Sequence, residues 1–163
     1  MNPIELTQEL VRINSENPPG NEKAVASYIK DFLESAGISA ELIEFEPNRC
    51  NVIASIGSGE GLMLNGHIDT VPFGKKENWK FEPTGQIAGE KFYGRGASDM
   101  KAGVAAMMLA AKELAKEKFK RRLVLAFVAD EETLQKGSEW LIKNRKDFFA
   151  GVKLGVVGEC SEN

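Results

Sequence analysis

The sequence predicts an α/β fold built on a doubly wound, mostly parallel sheet, and three observations carry that reading. Apolar runs of strand length (Leu62-Met63-Leu64, Leu123 to Ala129, Leu154 to Val157) alternate with helix-length segments in the second half of the chain. Leu123 to Ala129 is uninterrupted, as expected of a strand covered on both faces. His67, Asp130-Glu131-Glu132 and Glu159 each follow such a run, which puts them beyond the carboxyl ends of strands, where open α/β sheets bind ligands.

From the amino terminus, Ile4, Leu6, Leu10, Val11 and Ile13 fall at helical spacing, so Pro3 to Ile13 is a first amphipathic helix with proline at its opening. Asn17-Pro18-Pro19-Gly20 closes that segment. Asn21 is placed to cap a second helix carrying Val25, Ile29, Phe32 and Leu33, which Gly37 stops. Ala40 to Phe45 alternates as a half-buried strand and Asn51 to Ile56 is another. Gly57-Ser58-Gly59-Glu60-Gly61 reads as a hairpin connection into Leu62. It lacks the Lys and Ser/Thr of a phosphate loop. Phe73 to Phe92 is a long surface excursion with Trp79 and Phe81, a length usually kept for function. Met100 to Leu114 is a helix rich in Ala and Met, Gly137 to Asn144 another, and Leu154 to Val157 a last strand.

The chain of 163 residues, 42% apolar and 28% charged, is enough for one globular domain without repeats. Its net charge of -3, with acids and bases interleaved, offers no field for nucleic acid or anionic membrane. The basic cluster Lys118-Phe119-Lys120-Arg121-Arg122 reads as the solvated end of a helix leading into a strand. Cys50 and Cys160 are far apart and no basic-then-apolar leader opens the chain, so a reducing cytoplasm is the expected compartment.

His67 is the only histidine, and it precedes Asp69 by two residues at a strand end. That spacing lets a carboxylate turn back on the ring, as carboxylates do behind metal-bound imidazoles. Alone, the pair also fits a hydrogen-bonded polar histidine. Asp99 could cap the helix that follows it. Gly94-Arg95-Gly96 suggests a dinucleotide fingerprint, but Asp99 stands where its third glycine belongs, and a carboxylate would repel a pyrophosphate. Asp130-Glu131-Glu132 is either a solvated acidic turn or a set in which one carboxylate holds a cation and its neighbour takes a proton from water.

Together, Gly66-His67-Ile68-Asp69-Thr70-Val71-Pro72, Tyr93 to Gly103, Asp130-Glu131-Glu132-Thr133 and Val157-Gly158-Glu159 closely resemble the motifs of a dinuclear zinc family. That family contains acetylornithine deacetylase, succinyl-diaminopimelate desuccinylase, aminoacylase and carboxypeptidase G, and the motifs come in its order. The resemblance implies a three-layer, zinc-peptidase-like catalytic domain. It implies that His67 and Glu159 bind one zinc, that Asp99 bridges two, and that Glu132 binds the second. Glu131 would be the general base and acid, and Asp69 would orient His67. Cobalt or manganese are alternatives to zinc.

The implied substrate is a small N-acyl amino acid, such as an acetylated or succinylated diamino acid, or a peptide. A homodimer would belong to the complete enzyme. Family members have a further histidine and a lid domain, neither of which is present here, and Cys160 replaces a common proline. Residues 1–163 are therefore expected to be the amino-terminal part of a catalytic domain, without the lid and carboxy-terminal parts. The rival expectation is a catalytically incomplete metal-binding fragment that needs a partner chain.

Overall fold

The structure is a computed structural model that describes residues 1–117 and 121–160. Helix α1, Pro3–Arg12, opens on a reciprocal cap: Asn2 Oδ1 accepts from the Glu5 amide and the Asn2 amide donates to the Glu5 carboxylate, both at 2.9 Å. Helix α2, Lys23–Ser35, differs from expectation at its start. Glu22, not Asn21, holds the cap position, and it makes no capping bond because its carboxylate is turned inward to Arg49. Gly37, at φ +78, closes α2 as the Ile38 amide reaches back to the Leu33 carbonyl.

Strands β1, Ala40–Glu46, and β2, Arg49–Ile56, form an antiparallel hairpin. Strand β3, Gly61–His67, does not pair with β2. The hairpin expected at Gly57–Gly61 is therefore a wider connection, because β6, Arg122–Val128, lies between the two strands. The surface excursion contains a small ribbon, β4 at Gln86–Ala88 and β5 at Lys91–Tyr93, with Phe81 stacked on Tyr93 at 3.9 Å between ring centroids. Helix α3 is Ala102–Leu114; Met100 belongs instead to an irregular turn, since Asp99 and Met100 carry non-helical backbone angles. Helix α4, Lys136–Asn144, and strand β7, Val152–Val157, complete the order. Of the basic cluster, residues 118–120 lie outside the described residues, and Arg122 opens β6.

The sheet order is β1-β2-β6-β3-β7. β3 runs parallel to both β6 and β7, while β2 is antiparallel to β1 and β6, so the sheet is mixed and its parallel part carries the later motifs. Side-chain alternation on β6 explains the layers. Leu123, Leu125 and Phe127 face a core shared with α1, α2 and α3, whereas Ala126 and Val128 face a smaller one with Leu141 of α4. Burial of β6 on both faces accounts for its continuous apolar run. Among the described residues no helix is long and apolar enough to cross a membrane.

Candidate metal centre

β3 ends at His67, which pairs in register with Val128 at the end of β6. Its ring is buried, with Nδ1 2.9 Å from the Asp69 main-chain oxygen and 3.5 Å from the Asp69 carboxylate. The carbonyl is thus the nearer partner of Nδ1, and the carboxylate is its second. Nε2 points the other way, 2.9 Å from Asp99 Oδ1, 3.3 Å from Glu159 Oε1 and 3.9 Å from Glu131 Oε2.

Asp99 reaches this point from the turn at residues 97–101 and caps no helix, since α3 starts three residues later and has no side-chain cap. Gly96 makes the turn possible: its φ is +79, and a Cβ there would sit 2.6 Å from Thr70 Cγ2. Lys101 anchors the far side. Its ammonium, 2% exposed, donates to the Leu10 and Ile13 carbonyls at 2.9 Å, where the end of α1 favours positive charge. Burial lowers the Lys101 pKa to about 7 against the opposing pull of the Asp69 charge.

The turn after β6 is held from beneath. The buried Asp69 carboxylate accepts the amides of Glu131 and Glu132, each at 3.1 Å, and a bond of 2.9 Å from Asn17 Nδ2. Asp130, also fully buried, is 2.9 Å from Arg49 Nη2, and Arg49 in turn pairs with the buried Glu22. Glu159 follows β7, whose end is tied to β3 by the Gly158 amide donating to the Asn65 carbonyl at 3.1 Å.

The electrostatics fit a site short of positive charge. Burial opposes the imidazolium of His67, yet its bonds to Asp69 and Asp99 and the nearby charges of Asp69 and Glu159 win, raising its pKa to about 9. Burial and the Asp99 charge raise the Glu132 carboxyl, against the pull of His67. Burial raises Glu159 too, with His67 opposing and Asp99 and Glu131 reinforcing. For Asp69, burial is outweighed by bonds from His67, Asn17 and the two amides, and its pKa falls. For Asp130, burial is outweighed by bonds from Thr133, Asn17 and the Lys136 amide and by the Arg49 charge, giving about 2.

His67, Asp99 and Glu159 present ligand atoms within 4.8 Å of one another. One imidazole facing several carboxylates leaves excess negative charge at a strand mouth, and this nitrogen-and-oxygen donor set fits a divalent cation such as zinc. Glu131 stands at the edge of the group, and Glu132 lies outside it while still sensing Asp99. The sequence reading missed the support beneath. Asn17 read as a turn residue, and Arg49, Glu22 and Lys101 carried no local signal, although buried ionic partners matter as much as the ligands in such sites.

A mixed α/β sheet with an acid-and-histidine cluster at its strand ends is the architecture of a metallopeptidase or deacylase catalytic domain. Residues 63–161 match the model of peptidase family M20/M25/M40, and the chain belongs to that family. It is 35% identical over 143 residues to a probable succinyl-diaminopimelate desuccinylase of Staphylococcus aureus (strain MRSA252), covering 85% of this chain and 34% of that protein. It is 39% identical over 127 residues to the acetylornithine deacetylase of Vibrio atlanticus (strain LGP32), covering 77% of this chain and 33% of that protein. The chain therefore spans about a third of the length of these relatives.

The M20 family metallo-carboxypeptidase Sso-CP2 from Sulfolobus solfataricus superposes with a TM-score of 0.81 at 25% identity, over 94% of this chain and 37% of that one. Human carnosine dipeptidase 1, at 22% identity, shares the fold with a TM-score of 0.82 over 99% of this chain and 38% of that one.

Proposed function

We propose that this chain is the metal-centre portion of the catalytic domain of a metal-dependent amidohydrolase, which removes the acyl group from an N-acyl amino acid or cleaves a small peptide. The observation that carries the reading is the convergence of Asp99, Glu159 and Glu131 on His67 Nε2. In this reading His67, Asp99 and Glu159 would hold one divalent cation, and Asp99 and Glu132 would hold a second. A cation there would polarise an amide carbonyl and acidify a water. Asp69 fixes the imidazole through its carbonyl, presenting Nε2 outward. Glu131, half-exposed, takes the proton from the attacking water and delivers it to the leaving amine. The names of the relatives support an acetylated or succinylated diamino acid as substrate.

In the complete enzyme, Glu131→Gln should retain metal and lose turnover of N-acyl amino acids; undiminished turnover would remove Glu131 from its role.

A second reading, a binding fragment that hydrolyses nothing until a partner chain completes it, is favoured by the single imidazole and by the position of Glu132 outside the group. Catalytic zinc usually keeps three protein ligands. Dialysis against trace zinc separates the two readings. About two ions per chain, falling in His67→Ala, fits a dinuclear centre; about one or none fits the fragment.

A further inference from the structure

The two carboxylates that brace the site from below, Asp69 and Asp130, are both 0% exposed and share one neighbour. Asn17 Nδ2 lies 2.9 Å from Asp69 Oδ2, 2.9 Å from Asp130 Oδ1 and 3.1 Å from Thr133 Oγ1. An amide nitrogen has two hydrogens, so the two short bonds place one on each carboxylate. Without a donor between them, two buried carboxylates repel and lose hydrogen bonds that the interior does not replace. Isosteric Asp at position 17 would add a third negative charge; an apolar residue would leave both carboxylates short of a donor.

Asn17 is itself fixed. Its main-chain amide donates to the Thr70 carbonyl at 2.8 Å, and the Thr70 amide donates to Ser15 at 3.0 Å, so this segment runs beside the continuation of β3. Asp130 shares its Oδ1 between Asn17 and Arg49, and its Oδ2 accepts the Lys136 amide. Asp69 passes the constraint on, because its two oxygens receive the amides of Glu131 and Glu132.

We propose that Asn17 is a positioning residue: by donating to Asp69 and Asp130 together, it locks the turn after β6 onto the histidine strand and so sets where Glu131 and Glu132 stand relative to His67. This rests on the metal reading above.

The test is titration of the metal-free chain with Co2+, followed by its visible absorption, for the wild type and Asn17→Ala, with circular dichroism reporting the folded fraction. The expected result for Asn17→Ala is affinity per folded molecule weaker by about tenfold to a hundredfold, with an altered band shape. A residue that only stabilises the fold would lower the melting temperature and leave affinity and spectrum unchanged, which overturns the inference.

Should Asn17→Ala not fold, Asn17→Ser offers one hydroxyl hydrogen in place of two amide hydrogens, so at most one of the two carboxylates keeps its donor. A smaller shift in the same direction is then expected, and an unchanged spectrum and affinity overturns the inference. A wild type that binds no Co2+ overturns the metal reading and takes this inference with it; a wild type that binds beside an unchanged variant overturns the inference alone.

Discussion

β6 and β7 hand carboxylates to the same site from opposite situations. β6 is central, buried from Leu123 to Val128, and the turn that follows it rests on Asp69, Asn17 and Arg49. β7 is the edge strand, exposed from Lys153 onward, with Leu154 70% and Val157 57% exposed. Glu131 and Glu132 therefore stand on a preorganised base, whereas Glu159 follows a strand held by main-chain pairing to β3 and by Gly158 lying against Gly103, Met100 and Met107. Truncating a strand side chain should therefore cost far more stability on β6 than on β7.

The largest contrast is expected between Phe127→Ala and Leu154→Ala. Phe127 is 0% exposed in the main core, so its truncation should cost about 3–5 kcal/mol, while Leu154→Ala should stay within about 0.5 kcal/mol. Urea unfolding measures both, and equal losses would break the comparison. Arg49→Met tests the same base by charge. It leaves Glu22 and Asp130 buried without their counter-charge, at about 3–5 kcal/mol, and adding Glu22→Leu should recover part of that loss.

Gly103→Ala sharpens the comparison from the other side. A Cβ there would lie 2.1 Å from the Gly158 carbonyl oxygen, which is main chain and must shift. A cost of about 1–3 kcal/mol is expected, together with weakened Co2+ binding, because Glu159 is the next residue. A stability loss with cobalt affinity intact would mean that Glu159 is held independently of the α3 contact.

The comparison also marks what could be read from the sequence. The helices and the strands of the main sheet were legible because their periodicity is local, as in the continuous run of β6, buried on both faces, whereas the three-residue β4 and β5 are too short to show a period. The strand order was not. Gly57 to Gly61 has the chemistry of a tight turn, yet β6 inserts between β2 and β3, a pairing across more than fifty residues that no local pattern records. The acids and His67 could be picked out because metal-ligand residue types stand at strand ends. Their braces could not, since Asn17 in Asn-Pro-Pro-Gly reads as the end of a segment and Lys101 falls within the run read as a helix from Met100. Only burial reveals why an amide is needed between two carboxylates and an ammonium at the end of α1.

The smallest expected effect concerns the two thiols, which sit on opposite sides of the comparison. Cys50, on β2 beside the central strand, is 0% exposed, and burial together with the Glu44 charge pushes its thiol up to about 11. Cys160, next to Glu159, is exposed. Since the thiolate is the reacting form, iodoacetamide at neutral pH should modify Cys160 and spare Cys50 until the chain is unfolded. Mass spectrometry of the folded chain should find a single adduct, mapped to Cys160, with the circular dichroism spectrum unchanged. Equal labelling of Cys50 would mean that the β1–β2 side opens as readily as the β7 edge, and the base beneath Glu131 and Glu132 would then be no firmer than the strand that carries Glu159.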